Sequence, residues 1–268
     1  MKKIISTMFL LVLMVAVFGC KSSSSNETVL TVTSHDYKGL KELYAAEIDE
    51  EAVDNWNLMT LNPYYGYICH VALRNDELYV SSKWEYQNSF TVMGNYGYFV
   101  GVDVGEFDGW VRYHSYDKDE PILVVNENCR GFVKVDNDTA YLFTGFCHIF
   151  QDEGAVYKLS FSPEYDESSC IKIADLSGNP LVYTYNKVSQ TVYVATSKEL
   201  LAVSLVDNSI TTLSDISLWE HSGATSIVEH NGKLYVGFCM GIYEYDLETK
   251  KVMWYPMDYE KYVEKQQT

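Results

Sequence analysis

The chain has 268 residues, with 37 acidic against 20 basic side chains, a formal net charge of −17 and an aromatic share of 15%. A body this acidic repels nucleic acid and anionic lipid faces, which carry the same sign, so neither is expected as a partner. The length is sufficient for a sizeable core in one domain.

At the start, Lys2 and Lys3 precede an apolar run from Ile4 to Phe18 broken only by Ser6 and Thr7. That order of charge, apolar run and small residue reads as a secretory signal, too short to be a dependable membrane span. The residues Val17-Phe18-Gly19-Cys20 resemble the lipobox of bacterial lipoproteins. The resemblance implies a diacylglycerol on the Cys20 sulfur, with palmitate-type acyl chains, and cleavage just before that residue. It further implies a cell-envelope location, with the membrane reached through the lipid alone and the domain facing the periplasm or the exterior. Lys21, rather than Asp, follows the cysteine, which by the same resemblance directs the protein to an outer membrane where the organism has one. Residues 1–19 are thus expected as signal peptide and 20–27 as lipidated cysteine and tether. Four serines in that tether bury too little apolar surface to hold structure. Residues 28–268 are expected as a single domain. Loss of residues 1–19 removes two lysines and no acids, so the charge moves from −17 to −19.

Five further cysteines, Cys69, Cys129, Cys147, Cys170 and Cys239, show no zinc or redox spacing and no CxxC. An exported location permits disulfides, but an odd number leaves at least one outside any pair within the monomer, and spacing does not define the pairing. Most are expected as small apolar residues on strands.

The most patterned stretch is "NGKLYVGFCMGIYEYDLETKKVMWYP", residues 231–256. A turn at Asn231-Gly232, a strand, a Gly-containing turn, a second strand, another turn and a third strand follow in order. A tyrosine strand of the same kind recurs at Tyr79, Tyr141, Tyr193 and Tyr235, each after a polar turn. The intervals are 62, 52 and 42 residues, which fits one antiparallel unit carrying loop insertions of different length. Such units have two apolar faces and must stack on neighbours, so the pattern predicts an all-β β-propeller. The last unit resembles the quinoprotein-type propeller repeat through Leu234 to Gly237, Gly241 to Tyr243, Asp246, Thr249 and Trp254. That resemblance implies architecture; no quinone or other cofactor is expected.

Four blades are explicit, at 63–126, 127–178, 179–222 and 223–258. Residues 28–61 could supply a fifth, with strands at Val29 to Thr33, Leu43 to Ile48 and Trp56 to Leu61, and the C-terminus lending the strand that closes the ring. Glu42 to Val53 could equally form a helix. Five blades are expected, with four full blades plus an N-terminal cap, or six small blades, as the alternatives.

In propellers, the loops between the second and third strands share a face with the loops leading into each new blade. Trp84, Tyr86, Phe90, Tyr96 and Tyr98 are read as such a loop, and "GFCHIFQDEG" contributes Phe146, His148 and Phe150. Trp84, Tyr86, Phe90, Tyr96, Phe146 and His148 form the candidate binding face, suited to a protein partner or a glycan. The innermost strands offer only Asp136 and Glu229, at their far ends, where glycoside hydrolysis needs two carboxylates facing one bond. No nucleophile elbow, zinc helix or P-loop is present. The six histidines lack metal-ligand spacing, no metal is expected, and Asp103, Glu106 and Asp108 lack the full spacing of a calcium loop. The residues therefore favour a non-enzymatic, lipid-anchored binding or scaffold protein with a protein partner, as an immunity or envelope-assembly protein would be. A carbohydrate-binding or carbohydrate-active protein is the alternative.

Overall fold

A computed structural model describes residues 29–31, 42–44, 46–47, 69–81, 87–106, 109–148, 151–215, 223–238 and 241–256, the first three stretches through their backbone only. Three short N-terminal strands come first: β1 (Val29–Thr31), β2 (Glu42–Tyr44) and β3 (Ala46–Glu47). A hairpin follows, β4 (His70–Arg74) and β5 (Glu77–Ser81). Three antiparallel sheets of four strands each, joined in sequence order, make up the middle of the chain. The first holds β6 (Ser89–Met93), β7 (Gly97–Val102), β8 (Trp110–Ser115) and β9 (Ile122–Val125). The second holds β10 (Cys129–Lys134), β11 (Thr139–His148), β12 (Gln151–Ser160) and β13 (Cys170–Leu176). The third holds β14 (Pro180–Asn186), β15 (Thr191–Thr196), β16 (Leu200–Ser204) and β17 (Ile210–Ser214). A last sheet holds β18 (Ser226–His230), β19 (Lys233–Phe238), β20 (Gly241–Asp246) and β21 (Val252–Pro256), with β3 added beyond β21.

The described residues are therefore all-β, as the strand grammar predicts. Polar turns set the hairpins. Asn75 and Asp76 both have positive φ (52° and 64°), as do Asn231 and Gly232 (52° and 76°), the conformation that a two-residue hairpin turn requires. In the last sheet the Asp246 carboxylate accepts hydrogen bonds from the backbone N–H groups of Glu248 (3.1 Å) and Thr249 (2.7 Å). Those bonds hold its carboxyl below the ordinary range. They also explain the Asp-x-x-Thr spacing as a turn lock.

Tyr79, Tyr141, Tyr193 and Tyr235 each lie on the second strand of their sheet, and all four are buried. The sheets pack face to face through separate apolar layers. Phe99, Val111 and Tyr113 meet Ala140, Leu142 and Leu159 between the first two four-stranded sheets. Tyr141, Phe143 and Val156 meet Val192, Val194 and Leu201 between the next two. Leu200 and Ala195 meet Leu234, Val236 and Tyr243, and Val71 and Val80 meet Tyr235 and Ile242. First strands lie side by side in the order β6, β10, β14, β18, β4. Burial of these layers is the main stabilising term, at about 25 cal/mol for each Å² of apolar surface removed from water.

Two expectations are corrected and one open choice is decided. Residues 63–126 do not form one unit: the β4–β5 hairpin and the β6–β9 sheet are separate. The reason is legible at Phe99, which occupies the buried slot taken by tyrosine in the other sheets and so hides one repeat. Of the two readings open at Glu42 to Val53, the strand expected at Leu43 to Ile48 is the one found, at Glu42–Tyr44 and Ala46–Glu47. The chain ends pair in the opposite sense to that expected: the N-terminal β3 joins the C-terminal sheet, Ala46 opposite Trp254 and Glu47 opposite Met253. The C-terminal sheet already has four strands, and its outer edge at β21 is where a further strand can pair. The strand expected at Trp56 to Leu61 lies outside the described residues.

Candidate functional site

The β11–β12 hairpin is the longest, with ten residues in each strand, and its register runs unbroken from Thr139 opposite Ser160 to His148 opposite Gln151. β13 and β10 stop short of its tip, so the hairpin stands out beyond its own sheet. Side chains alternate along it. Thr144, Phe146 and His148, with Gln151 and Glu153 opposite, face the β6–β9 side, whereas Cys147 and Asp152 face the β14–β17 side.

On the second side, Asp152 ties the hairpin to the next sheet. Its carboxylate accepts hydrogen bonds from Ser197 Oγ (2.6 Å) and the Asn179 N–H (2.8 Å), and Lys198 Nζ lies 3.6 Å away. Glycine permits the close approach: a Cβ on Gly154 would lie 2.5 Å from Pro180 Cδ and 2.7 Å from the Gly178 carbonyl.

On the first side lies a cleft of about 710 Å³, lined among others by Glu106, Glu127, Phe146, Glu153, Lys172 and Asp175. Glu127, from the connection between β9 and β10, accepts hydrogen bonds from Thr144 Oγ1 (2.5 Å) and the Tyr157 hydroxyl (2.7 Å). Burial and that bond to Glu127 push the Tyr157 phenol well above its ordinary range, so it stays a donor. Glu106 lies on the loop after β7, and its Oε1 is 2.9 Å from His148 Nδ1. Behind it, Asp103 is held by Arg130, Nη1 to Oδ2 2.5 Å, and accepts the Gly105 N–H at 2.9 Å. Asn128 bridges the same loop, accepting from Val104 N–H (2.9 Å) and donating to the Gly105 carbonyl (2.7 Å). Lys172 pairs with Asp175 at the outer wall. The result is a cleft rich in carboxylates, in which two hydroxyls orient Glu127, His148 faces Glu106 and Lys172 pairs with Asp175.

Phe146 and His148 are brought together at the cleft, rings 6.1 Å apart. Tyr96 is not there: it lies in the β6–β7 turn at the opposite end of the sheet, 44% exposed. Phe90 lies on β6 and packs half-buried against the core shared with β10–β13. Tyr98 lies on β7 and stacks on His114, centroids 4.7 Å apart and planes at 6°, with Tyr116 beside it at 6.1 Å. Trp84, Tyr86 and Phe150 lie outside the described residues. The face expected from sequence therefore divides between two ends, because the residues from Ser89 to Val102 form strands of a new sheet and not a loop. Sequence reasoning passed over Glu127, Asp152, Glu153 and Asp175. The run Gln151-Asp152-Glu153 in the same hairpin was the available signal.

Asp136 lies in the turn after β10, where its Oδ1 accepts the Asp138 N–H at 2.8 Å, and Glu229 on β18 accepts from Asn186 Nδ2 at 2.6 Å. Asp103 is engaged by Arg130, and among the described residues no cluster of three or more His, Cys, Asp or Glu side chains could hold a metal ion. Cys129 is buried, Cys170 half-buried and Cys147 exposed, and none of the three is in a disulfide. Cys69 is buried, and Cys239 lies outside the described residues.

No protein-family profile matches the chain, and no curated protein does. Solved structures do align with it. An extracellular domain from B. thetaiotaomicron, described as part of a hybrid two-component system, is 11% identical at a TM-score of 0.47, over 89% of this chain. An extracellular domain from the same organism, described as part of a one-component system, is 13% identical at 0.40, over 72% of this chain. A chain of a nidogen/laminin complex is 8% identical at 0.35, over 70% of this chain and 92% of its own. The chain spans about one third of the first structure's length and just over a quarter of the second's (34% and 28%). At these scores the likenesses assign neither function nor ligand. No helix among the described residues is long and apolar enough to cross a membrane.

Proposed function

We propose that this protein is a lipid-anchored, extracytoplasmic β-propeller that binds a protein partner through the acidic cleft at the β11–β12 hairpin and performs no catalysis. The propeller reading is supported by the sheet stacking and by the side-by-side order of first strands, β6, β10, β14, β18 and β4. On this reading the β4–β5 hairpin counts as the small fifth blade, and β3 fastens the ring at β21. The anchor reading rests on Val17 to Cys20 and the serine tether. Replacing Cys20 by alanine is expected to move the protein from the membrane fraction to the soluble fraction.

The observation that carries the binding reading is the cleft. Glu106, Glu127, Glu153 and Asp175 line it, Lys172 is the one basic residue in its wall among the described residues, and Phe146 gives it an apolar edge. A wall with four carboxylates, Glu127 among them held in place by two hydroxyls, matches a basic segment with an apolar flank. The test is a pull-down of the tagged full chain from the native organism's lysate, at low and high salt. Glu106→Lys and Glu153→Lys together should abolish recovery of the partner, whereas Asp138→Lys at the opposite end should not. Equal recovery by all three proteins would refute the proposal.

Carbohydrate binding is the second reading, favoured by the flat Tyr98–His114 stack and the exposed Tyr96 and Tyr116 nearby. Aromatic planes of this kind stack on sugar rings. A glycan array with no signal above that of Tyr98→Ala would eliminate it.

A further inference from the structure

The three four-stranded sheets each end in an outer strand that pairs, among the described residues, on one side only: β9, β13 and β17. Proteins guard such edges with charge or proline, because open backbone donors and acceptors recruit other strands. β13 carries Lys172 and Asp175, and β17 carries Thr211, Thr212 and Ser214. β9 reads Ile122, Leu123, Val124 and Val125, with no polar residue, and Leu123 is 55% exposed.

Beside that edge runs a groove of about 600 Å³. Ile122 to Val125 of β9 line it together with Tyr157, Tyr165, Asp166 and Cys170. Lys172 lines both this groove and the acidic cleft, and Asn126 and Glu127 of the cleft follow directly on Val125. The two spaces therefore adjoin at the C-terminal end of β9. The fold also holds an instance of strand addition at the equivalent edge, where β3 pairs antiparallel with β21.

We infer that β9 takes an extended segment of a partner protein as an added antiparallel strand, with basic residues immediately N-terminal to that strand lying in the acidic cleft. This rests on the reading of the cleft as a partner surface and gives that surface a direction. β9 runs toward the cleft, so an antiparallel guest begins there and runs away from it. Its basic residues must precede its apolar ones. Main-chain hydrogen bonds would supply affinity, and alternate apolar side chains would fill the groove.

The test uses the full chain in detergent micelles and blocked synthetic peptides. Lys-Lys-Thr-Val-Thr-Val-Thr is compared with the reversed order, in which the lysines come last, and with a version N-methylated at its central valine. The forward peptide is expected to bind at least tenfold more tightly than either control and to slow amide exchange at residues 122–125. Leu123→Lys, an exposed change at the edge, should cost a similar factor and leave the unfolding midpoint unchanged. Equal affinity for the two orders, exchange at 122–125 unaffected by peptide, or no binding of any peptide would overturn the inference. The cleft reading fails separately, through the pull-down with Glu106→Lys and Glu153→Lys. If that pull-down loses its partner while β9 stays unprotected, the cleft stands and the added strand does not.

Discussion

Arg130 Nη1 lies 2.5 Å from Asp103 Oδ2, which joins the first strand of one sheet to the loop of the sheet before it. Asp103 is 5% exposed, and Arg130 also donates through Nε to the Gly145 carbonyl at 3.2 Å. The pair thus fixes the floor behind the cleft, holding the loop that carries Glu106.

Arg130→Ala is expected to destabilise the protein by about 3 kcal/mol, because it leaves a buried carboxylate without its cation. Urea unfolding measures this directly. The double replacement Asp103→Asn with Arg130→Met should recover much of the loss, since no charge is then stranded. A double variant as unstable as Arg130→Ala would show that packing, not charge, dominates at this position.

Gly131 has φ of 141°, and the Tyr183 hydroxyl lies 2.1 Å from where a Cβ on residue 131 would be placed. That hydroxyl donates to the Phe132 carbonyl at 3.2 Å, so its position is set by a bond and by burial. Gly131→Ala is expected to cost about 2 kcal/mol or more, from the backbone region and the collision together. Thermal unfolding checks it. Tyr183→Leu in the same chain should relieve only the collision, leaving part of the loss.

Thiol chemistry should be selective. Cys147 is exposed at the hairpin, while burial pushes the Cys129 thiol up to about 12. At pH 8, iodoacetamide is expected to label Cys147 first and to leave Cys129 unmodified until the chain unfolds. Peptide mass spectrometry after timed quenching reads this order. Modification of Cys129 as fast as Cys147 would contradict the packing between β7 and β10.

Alkaline stability follows from the same buried groups. Burial raises Cys129 from 9.0 to about 12 and Tyr183 from 10.0 to about 12. Both are held neutral in the fold, whereas the unfolded chain releases their protons at the lower values. The stability they confer is complete below about pH 9 and is lost as pH rises from there toward 12. The loss is at most about 1.4 kcal/mol per pH unit for each group. Urea midpoints measured between pH 8 and 11 should fall, and Cys129→Ala with Tyr183→Phe should lessen the decline, the remainder coming from Tyr157, Tyr165, Tyr235, Tyr243 and Tyr255, which burial raises likewise.

Much of this architecture is legible in the sequence because a strand's grammar is local. Asn75-Asp76 and Asn231-Gly232 set their turns by backbone preference alone, and the buried slots of Tyr79, Tyr141, Tyr193 and Tyr235 appear as a repeated residue type. Where the slot holds Phe99 the signal vanishes. Two units then read as one, which is why the first interval is 62 residues when the step from Phe99 to Tyr141 is 42. For the same reason the strands bearing Phe90 and Tyr98 read as a rim loop, and Tyr96 lies at the other end of its sheet.

Strand content, hairpin turns, buried tyrosine positions and acidic balance can all be read from the order of residues, since each depends on neighbours along the chain. The meeting of residues far apart along the chain comes from the folded arrangement alone: Glu106 with His148, Glu127 with Tyr157, Asp152 with Ser197, and the N-terminal β3 with β21. Those pairings depend on which sheet faces which and on how far one hairpin extends beyond its sheet. Both are settled by packing of buried layers between sheets, and no local pattern encodes them.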